Sequence, residues 1–379
     1  MRITIIISLI LSLLFGAHSS AMESISSPIP EHYESHPAGK NPWNMTVFDG
    51  KLYVASGDYN TNSGKTPIFT YDVEKGEWCE PYLTSDESLE AFRVIDGKLY
   101  AVGNDSTLGG GTGNYYVLDG GVWTAHTDIP GAFHVFDAIS FGGKTFFGIG
   151  VDDNLSSSVL TLEDGEYSAV DFIKNGKSIF PLDEAFSRAY NFLVADGELY
   201  AFILKAENSV QSVQEFYRYN GEVFEFVSER DPNEIYFFTL QVESDGKTAN
   251  KKLSQNFLNY EFTKDGYAYF TTGALFKTKD FLSYERLVPN GGAIITDTVR
   301  YGDEYYALGF RRSKNNAEAN VNVVWRLEDD DSFTAVASFG SEGNYALSLA
   351  VSEDEFFVGM GNRASTDGVG EIYRIKREK

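Results

Sequence analysis

The side chains best suited to chemistry in this sequence fall in short segments that precede recurring glycine-containing turns. They are one imidazole, two guanidinium groups, three carboxylates and two large aromatic rings, at His134, Arg188, Arg93, Glu90, Asp137, Asp297, Trp43 and Tyr190. Such a mixture suits a sugar or a carboxylated ligand, because aromatic faces stack on it and fixed polar groups orient it. The alternative is that these residues are the ordinary polar residues of inner strands that face water.

A catalytic interpretation is also open for the same residues. Glu90, Asp137 and Asp297 could provide a carboxylate pair, with His134 as a base. Arg188 or Arg93 would then hold an anion. The sequence contains no HExxH, CxxC pair, Gly-x-Ser-x-Gly, phosphate-binding loop or dinucleotide fingerprint that would identify the reaction.

One segment spaces oxygen ligands as a calcium loop does, at Asp58, Asn60 and Asn62. Its glycine, Gly64, comes one place late and no glutamate closes the loop at the right distance. A polar hairpin loop is therefore the favoured interpretation. We expect no cofactor, with Ca²⁺ as the alternative.

The turns themselves form a repeat along the chain. They begin at residues 49, 96, 142, 196, 265, 302 and 353, with a mean spacing of about 51 residues. Several are Asp-Gly pairs between alternating apolar strands, which is a strong signal for a type I′ hairpin because both central residues need positive φ. A period of this length with several strands per unit predicts an all-β, seven-bladed β-propeller with four-stranded blades.

Each unit continues with a tyrosine and, seven residues later, a second aromatic residue. The pairs are Tyr71 and Trp78, Tyr116 and Trp123, and Tyr217 and Phe224. This spacing resembles the Kelch repeat and its galactose-oxidase-like relatives. The Gly-Gly doublet of that repeat is missing, since Ser56-Gly57-Asp58 and Val102-Gly103-Asn104 stand in its place. The resemblance implies the propeller fold and carries over no catalytic residues.

The two ends of the chain predict export and closure of the ring. A basic start, an apolar run from Ile3 to Phe15 and the small residues Ser19 and Ala21 are typical of a signal peptide over residues 1–21. Residues 22–379 are then a single propeller domain with no transmembrane segment. The last unit ends after its third strand, so we expect residues 25–33 to supply the fourth. The long fourth interval predicts an insertion at about residues 231–252.

Charge and cysteine content narrow the possible partners. The net charge of −24 disfavours nucleic acid, because binding phosphate needs clustered Lys and Arg. Cys79 is the only cysteine, so the chain has no internal disulfide. Asn44, Asn104 and Asn154 begin glycosylation sequons.

These observations predict a secreted or periplasmic monomer that binds a protein or a glycan on one face, at the central funnel. The first alternative is an extracellular enzyme acting on a polysaccharide or a small polar ligand. The second is a structural scaffold without a small-molecule site.

Overall fold

The chain folds almost entirely into antiparallel β-strands. The structure is a computed structural model that describes residues 21–58, 64–108, 112–151, 157–179, 187–208, 211–230, 238–244, 247–253, 259–271, 273–312, 319–362 and 368–377. Within those residues the helices are α1 (Ile29–His32) and a 3-10 turn at Pro37–Lys40. The all-β prediction is confirmed. No helix in these ranges is both long and apolar enough to span a membrane.

The chain divides into two compact units. The first contains residues up to Phe92, Gly121–Trp123 and residues from Leu287 onward, and the second contains Arg93–Gly120 and Thr124–Arg286. Hydrogen bonds join the strands between residues 86 and 230 into one 14-stranded sheet. We divide it where single residue pairs link β8 to β11 and β12 to β17, and with the four other sheets of four or five strands this gives seven groups, called sheets 1 to 7 in chain order. The prediction of one domain over 22–379 stays a prediction, and residues 1–20 lie outside the described residues.

Sheets 1 and 2 follow the first two predicted turns. Sheet 1 contains β2 (Asn44–Phe48), β3 (Lys51–Ala55), β4 (Pro67–Asp72), β5 (Glu77–Trp78) and β6 (Tyr82–Leu83). Sheet 2 contains β7 (Asp86–Ile95), β8 (Lys98–Ser106), β9 (Thr112–Asp119) and β10 (Val122–Pro130).

Sheets 3 and 4 have more complex edges. Sheet 3 contains β11 (Ala132–Phe141), β12 (Lys144–Val151), β13 (Val159–Glu163) and β14 (Glu166–Ala169). A hairpin follows, of β15 (Phe172–Lys174) and β16 (Lys177–Ser178). Sheet 4 contains β17 (Ser187–Ala195), β18 (Glu198–Asn208), β19 (Gln211–Tyr219) and β20 (Phe224–Arg230). Because β15 pairs in parallel with β20, the hairpin covers the outer edge of sheet 4.

The predicted insertion after sheet 4 contains a two-stranded hairpin. Its strands are β21 (Phe238–Ser244) and β22 (Lys247–Leu253), which pair with each other. Residues 231–237 and 245–246 of the predicted segment lie outside the described residues.

Sheets 5, 6 and 7 complete the series. Sheet 5 contains β23 (Asn259–Lys264), β24 (Tyr267–Thr271), β25 (Leu275–Thr278) and β26 (Glu285–Leu287). Sheet 6 contains β27 (Ile294–Tyr301), β28 (Glu304–Arg312), β29 (Ala319–Leu327) and β30 (Phe333–Glu342). Sheet 7 contains β31 (Tyr345–Val351), β32 (Glu355–Gly361), β33 (Ile372–Lys376) and β1 (Met22–Ser24).

The seven predicted turns all join the first and second strands of a sheet. Five have positive φ at both central residues, the Asp-Gly turns at 49, 96, 196 and 265 and the Gly-Gly turn at 142. At Asp49-Gly50 the φ angles are 48° and 72°, as a type I′ turn requires. The turn at 302 has positive φ at Gly302, and the last is a longer connection in which Ser352 and Glu355 hydrogen-bond.

The strand added to sheet 7 from the N-terminal segment differs from the predicted one. It is β1, which pairs antiparallel with β33, whereas part of the predicted stretch 25–33 forms α1. Pro28 and Pro30 explain the difference, because proline cannot donate to a sheet ladder yet fits the first turn of a helix. The rest of the segment packs into the core of sheets 1 and 7 through Ile25, Ile29 and Tyr33.

Apolar side chains from consecutive sheets pack face to face. Leu308 and Val324 of sheet 6 share a buried cluster with Leu349 and Val358 of sheet 7. Each fully buried aliphatic side chain contributes roughly 1.5–3 kcal/mol by leaving water. This packing, rather than any disulfide, holds neighbouring sheets together.

One polar contact repeats between the first strands of consecutive sheets. The residue five places before a turn accepts a hydrogen bond from the backbone N–H four places before the next turn. Asn44 Oδ1 accepts from Phe92 at 3.1 Å, Asp137 Oδ2 from Phe192 at 2.9 Å, and Asp297 Oδ2 from Leu349 at 2.7 Å. We call these three contacts the inter-sheet ties.

A second contact repeats nearer the ends of the same strands. The residue eight places after a turn pairs with the residue eight places before the next turn. The pairs are Gly57 with Ser88, Asn104 with His134, and Gly150 with Arg188. Because the contact recurs at one phase of the repeat, it fixes which side chains of consecutive sheets meet at that strand end.

The sequons at Asn44 and Asn104 are buried in this fold. Asn44 is engaged in an inter-sheet tie, and Asn104 is almost fully buried. A glycan on either side chain is incompatible with this packing. Asn154 lies outside the described residues.

Candidate functional site

Asp137 and Arg93 are brought together in the second unit as a buried ion pair. Arg93 donates from Nε and Nη2 to the two carboxylate oxygens, each at 2.7 Å. The same carboxylate accepts from the backbone N–H of Ala138 and Phe192. Asp137 has no exposed surface, so its four hydrogen bonds leave little capacity for a ligand.

Asp297 occupies the equivalent position in the first unit without an arginine. Its oxygens accept from the backbone N–H of Thr298 at 2.8 Å and of Leu349 at 2.7 Å. Burial raises the pKa of this carboxyl to about 7, against the opposing effect of the two N–H groups. Asp297 therefore ties sheet 6 to sheet 7.

Asp137 and Asp297 consequently lack the geometry of a general acid and base. Such groups must face substrate and water, whereas both of these carboxylates face backbone amides. The third predicted carboxylate, Glu90, lies in β7, and its side chain is outside the described residues.

His134 and Asp105 form a second polar pair near the end of sheet 3. His134 stands near the start of β11, and its Nδ1 lies 2.9 Å from Asp105 Oδ1 at the end of β8. The side chains are 15% and 31% exposed, so the pair borders solvent. When His134 is protonated, the contact becomes an ion pair. Asp105 was not among the residues predicted from the sequence.

Arg188 and Tyr190 lie on β17, one strand beyond β12. Arg188 Nη1 donates to the Tyr190 hydroxyl at 3.4 Å, and the guanidinium lies 5.9 Å from the centre of the Phe136 ring. The Phe136 and Tyr190 rings are 4.3 Å apart, and His134 is 5.5 Å from Phe136. These contacts link His134, Arg188 and Tyr190 through the Phe136 ring.

Gly150 makes that cluster possible. Its backbone pairs with both His134 and Arg188, so it lies between them on β12. A Cβ at this position would lie 2.6 Å from His134 Cδ2 and 3.0 Å from Phe136 Cε2. The absence of a side chain lets the two rings lie over the backbone.

Phe133 adds an exposed aromatic ring next to the cluster. The register between β11 and β12 shifts between Ala132 and His134, so Phe133 occupies a β-bulge. Its side chain is 41% exposed, unlike the buried Phe136. A bulge re-aims side chains, and here the exposed one is an aromatic residue. We call Phe133, His134, Asp105, Arg188 and Tyr190, with Phe136 beneath them, the sheet 3 cluster.

Trp43 belongs to the first unit and has none of the contacts that define the sheet 3 cluster. Its indole N–H donates to the Gly57 carbonyl at 2.8 Å, and its ring is half-buried. Of the weak calcium loop, Asp58 is buried and its backbone N–H donates to Glu87, whereas Asn60 and Asn62 lie outside the described residues. Within the described ranges, no group of three His, Cys, Asp or Glu side chains is placed to hold a metal ion.

The turn between β25 and β26 is stabilised by one of its own carboxylates. Asp280 Oδ1 accepts from the backbone N–H of Leu282 and Ser283, which lowers the pKa of this carboxyl. Tyr284 packs on the Phe281 and Phe216 rings beneath the turn. The Asp280 carboxylate thus serves the hairpin and is not part of the sheet 3 cluster.

No protein-family model and no curated protein matches the chain. Among solved structures, it is 9% identical to the β-propeller domain of the Trilobed protease from Pyrococcus furiosus, over 87% of this chain and 91% of that one, with a TM-score of 0.47. It is 8% identical to a chain of the mitotic checkpoint complex, over 95% of both chains, with a TM-score of 0.49. For a hypothetical selenium-binding protein from Sulfolobus tokodaii the values are 10%, 80%, 81% and 0.47. At these TM-scores the likeness adds nothing to what the chain's own sheets show.

Proposed function

We propose that this chain is an exported, monomeric, seven-bladed β-propeller that binds a glycan or a protein through the sheet 3 cluster at its funnel. Seven successive groups of strands, each with a predicted turn between its first two strands, support the blade count. The repeated inter-sheet ties support one arrangement of neighbouring blades, and β1 provides the fourth strand of the last blade.

The Kelch-like character of the blades is part of the same proposal. Tyr71 and Trp78 are cross-strand partners in β4 and β5, with ring centres 5.2 Å apart. This aromatic pair joins the third and fourth strands of sheet 1. Export is supported by the signal-peptide pattern of residues 1–21.

Binding is favoured over catalysis by the fate of the carboxylates. The carboxylates of Asp137 and Asp297 already accept hydrogen bonds from backbone amides, and Asp137 also from Arg93. The sheet 3 cluster instead has partly exposed polar groups beside an exposed ring. Fixed polar groups beside aromatic surface are what a binding site needs, since little ordering entropy remains to be lost. The single observation that carries the proposal is the convergence of His134, Arg188 and Tyr190 around Phe136.

Thermal unfolding of residues 22–379 tests this proposal. The melting temperature would be measured with neutral glycans, sugar acids and Ca²⁺, with and without chelator. A ligand that binds the native state raises the melting temperature. At a free concentration of a hundred times Kd it increases the free energy of unfolding by roughly 2.7 kcal/mol. We expect a shift with one glycan class that His134→Ala abolishes.

Arg218→Ala is the matched control, because Arg218 is an exposed residue of sheet 4 that contacts Glu198. It should leave the ligand-induced shift intact. A glycan shift that persists in His134→Ala, or a response to Ca²⁺ alone that chelator removes, would contradict a site at the sheet 3 cluster.

A further inference from the structure

Arg188 has no carboxylate partner among the described residues, unlike several other arginines of this chain. Arg93 pairs with Asp137, Arg374 with Glu23 and Arg326 with Glu328. The contacts of Arg188 are instead with the hydroxyl of Tyr190 and the ring of Phe136. Although the chain has a net charge of −24, this half-buried guanidinium has no acidic neighbour within the part of the chain that the structure describes.

The surroundings of Arg188 hold the guanidinium in one place. Its backbone pairs with Gly150, Tyr190 follows two residues later on the same strand, and Phe136 lies under the charged group. A planar guanidinium presents a fork that matches a carboxylate, and stacking on an aromatic ring orients that fork in advance. The local geometry therefore suits a bidentate contact with an anion.

The other charges of the cluster do not compete for Arg188. Asp105 stands on β8 and contacts His134 on β11, whereas Arg188 stands on β17, which β12 separates from β11. Exposed charges farther from Arg188 than the Debye length of about 8 Å are largely screened. Local attraction to Arg188 thus decides whether an anionic group can bind.

The remaining groups of the cluster favour a sugar as the carrier of that anion. Phe133 offers an exposed flat ring at the bulge, against which the apolar face of a sugar ring can pack. Asp105 Oδ atoms accept hydrogen bonds, and sugar hydroxyls donate them. His134 and Arg188 lie two strand spacings apart, about 10 Å, which is a span of one or two sugar rings.

We propose that the sheet 3 cluster binds a sugar acid, with Arg188 holding the carboxylate and Phe133 supporting the sugar ring. This inference rests on the proposed function, since it names the ligand class of the same site. It separates Arg188, which recognises the charge, from Phe133 and Asp105, which contact the rest of the sugar.

Calorimetric titration of residues 22–379 with tetramers of galacturonate and of mannuronate tests the inference. The methyl-esterified tetramers are the matched ligands, because esterification removes the charge and keeps the sugar. We expect the acid to bind at least about tenfold more tightly than the ester, and Arg188→Gln to abolish that difference. Arg218→Gln should behave as the unaltered protein.

Three results would overturn the inference. They are equal affinity for acid and ester, an unchanged acid preference in Arg188→Gln, and no binding of either acid tetramer. Binding of an acidic peptide through Arg188 without binding of either uronate would overturn it as well. A shift with neutral glycans that depends on His134 but not on Arg188 would leave the proposed binding function standing while removing the sugar acid.

Discussion

Arg377, close to the end of the chain, connects two sheets through a single side chain. Its Nε donates to the Tyr306 hydroxyl at 3.1 Å, and Nη1 donates to the carbonyls of Ser352 and Glu353 at 3.1 Å. Nη2 pairs with Glu304, and the guanidinium lies 4.8 Å from the centre of the Tyr301 ring. The side chain is almost buried, so water cannot replace these contacts.

We expect Arg377→Gln to lower the free energy of unfolding by about 2 kcal/mol, because hydrogen bonds to charged groups are worth about 1.5–3 kcal/mol each and one or more would be lost. Urea unfolding followed by fluorescence measures this change. Arg300→Gln is the control, since Arg300 is exposed and its contacts, with Gly302, Asp303 and Tyr305, stay within one hairpin of sheet 6. Equal effects of the two substitutions would contradict the structural role of Arg377.

At the scale of elements, the inter-sheet ties show one position filled by different side chains. Asn44 provides one amide oxygen, Asp137 a carboxylate paired with Arg93, and Asp297 a carboxylate with backbone partners alone. The geometry needs an acceptor at this position and tolerates an amide or an acid. Only the acid makes the stability of the tie depend on pH.

Asp297→Asn should change how stability depends on pH. Because burial raises the pKa of Asp297 to about 7 in the folded chain, the folded state retains a proton that the unfolded state loses near pH 4. The stability contribution is therefore present below the unfolded pKa and declines as the pH rises towards 7. We expect Asp297→Asn to be less stable than the unaltered protein at pH 5 and to melt at a lower temperature. At pH 8 the difference between their free energies of unfolding should be smaller, by up to about a few kcal/mol.

Melting temperatures of both proteins between pH 4.5 and 8 measure this effect. Asp280→Asn is the control, because Asp280 is mostly exposed and its pKa is lowered by N–H donors, not raised. Parallel pH profiles for Asp297→Asn and the unaltered protein would show that the tie does not titrate in this range.

At the scale of the whole molecule, the first and last described segments of the chain are joined. Met22–Ser24 pairs with the edge of β33, Arg374 contacts Glu23 at 2.7 Å, and the Trp78 indole donates to Ile25 O at 2.8 Å. The single cysteine allows no internal disulfide. The pairing with β1 instead covers β33, whose edge could otherwise pair with another molecule.

Removing residues 22–26 should therefore expose β33 and promote self-association. We expect a lower melting temperature and dimers or larger species in size-exclusion chromatography with light scattering. Glu23→Gln is the control, because it removes the contact with Arg374 and keeps the backbone pairing. A monomeric shortened protein with an unchanged melting temperature would contradict the role of β1.

Much of the fold follows from local sequence signals. The Asp-Gly turns at 49, 96, 196 and 265 were predictable because positive φ at two successive residues restricts residue choice to a few types. The alignment on those turns also placed His134 and Arg188 at one phase, eight residues before a turn, and Phe136 and Tyr190 at another, six residues before it. The bounds of β1 were not predictable, because strand pairing across the whole chain length depends on where Pro28 and Pro30 interrupt the segment.

The turns, the phase of each inner strand and the residue types at each phase follow from local sequence, because they depend on the backbone preferences of a few neighbouring residues. Which polar residues can face a ligand depends instead on tertiary contacts. Asp137 and Asp297 have the residue type of catalytic groups, yet backbone amides of the next sheet, 55 and 52 residues away respectively, occupy their oxygens. Arg93 and Arg188 likewise differ only in their surroundings. Arg93 pairs with the buried carboxylate of Asp137, whereas Arg188 lies over the Phe136 ring. Such differences arise from contacts between distant segments, which no local pattern encodes.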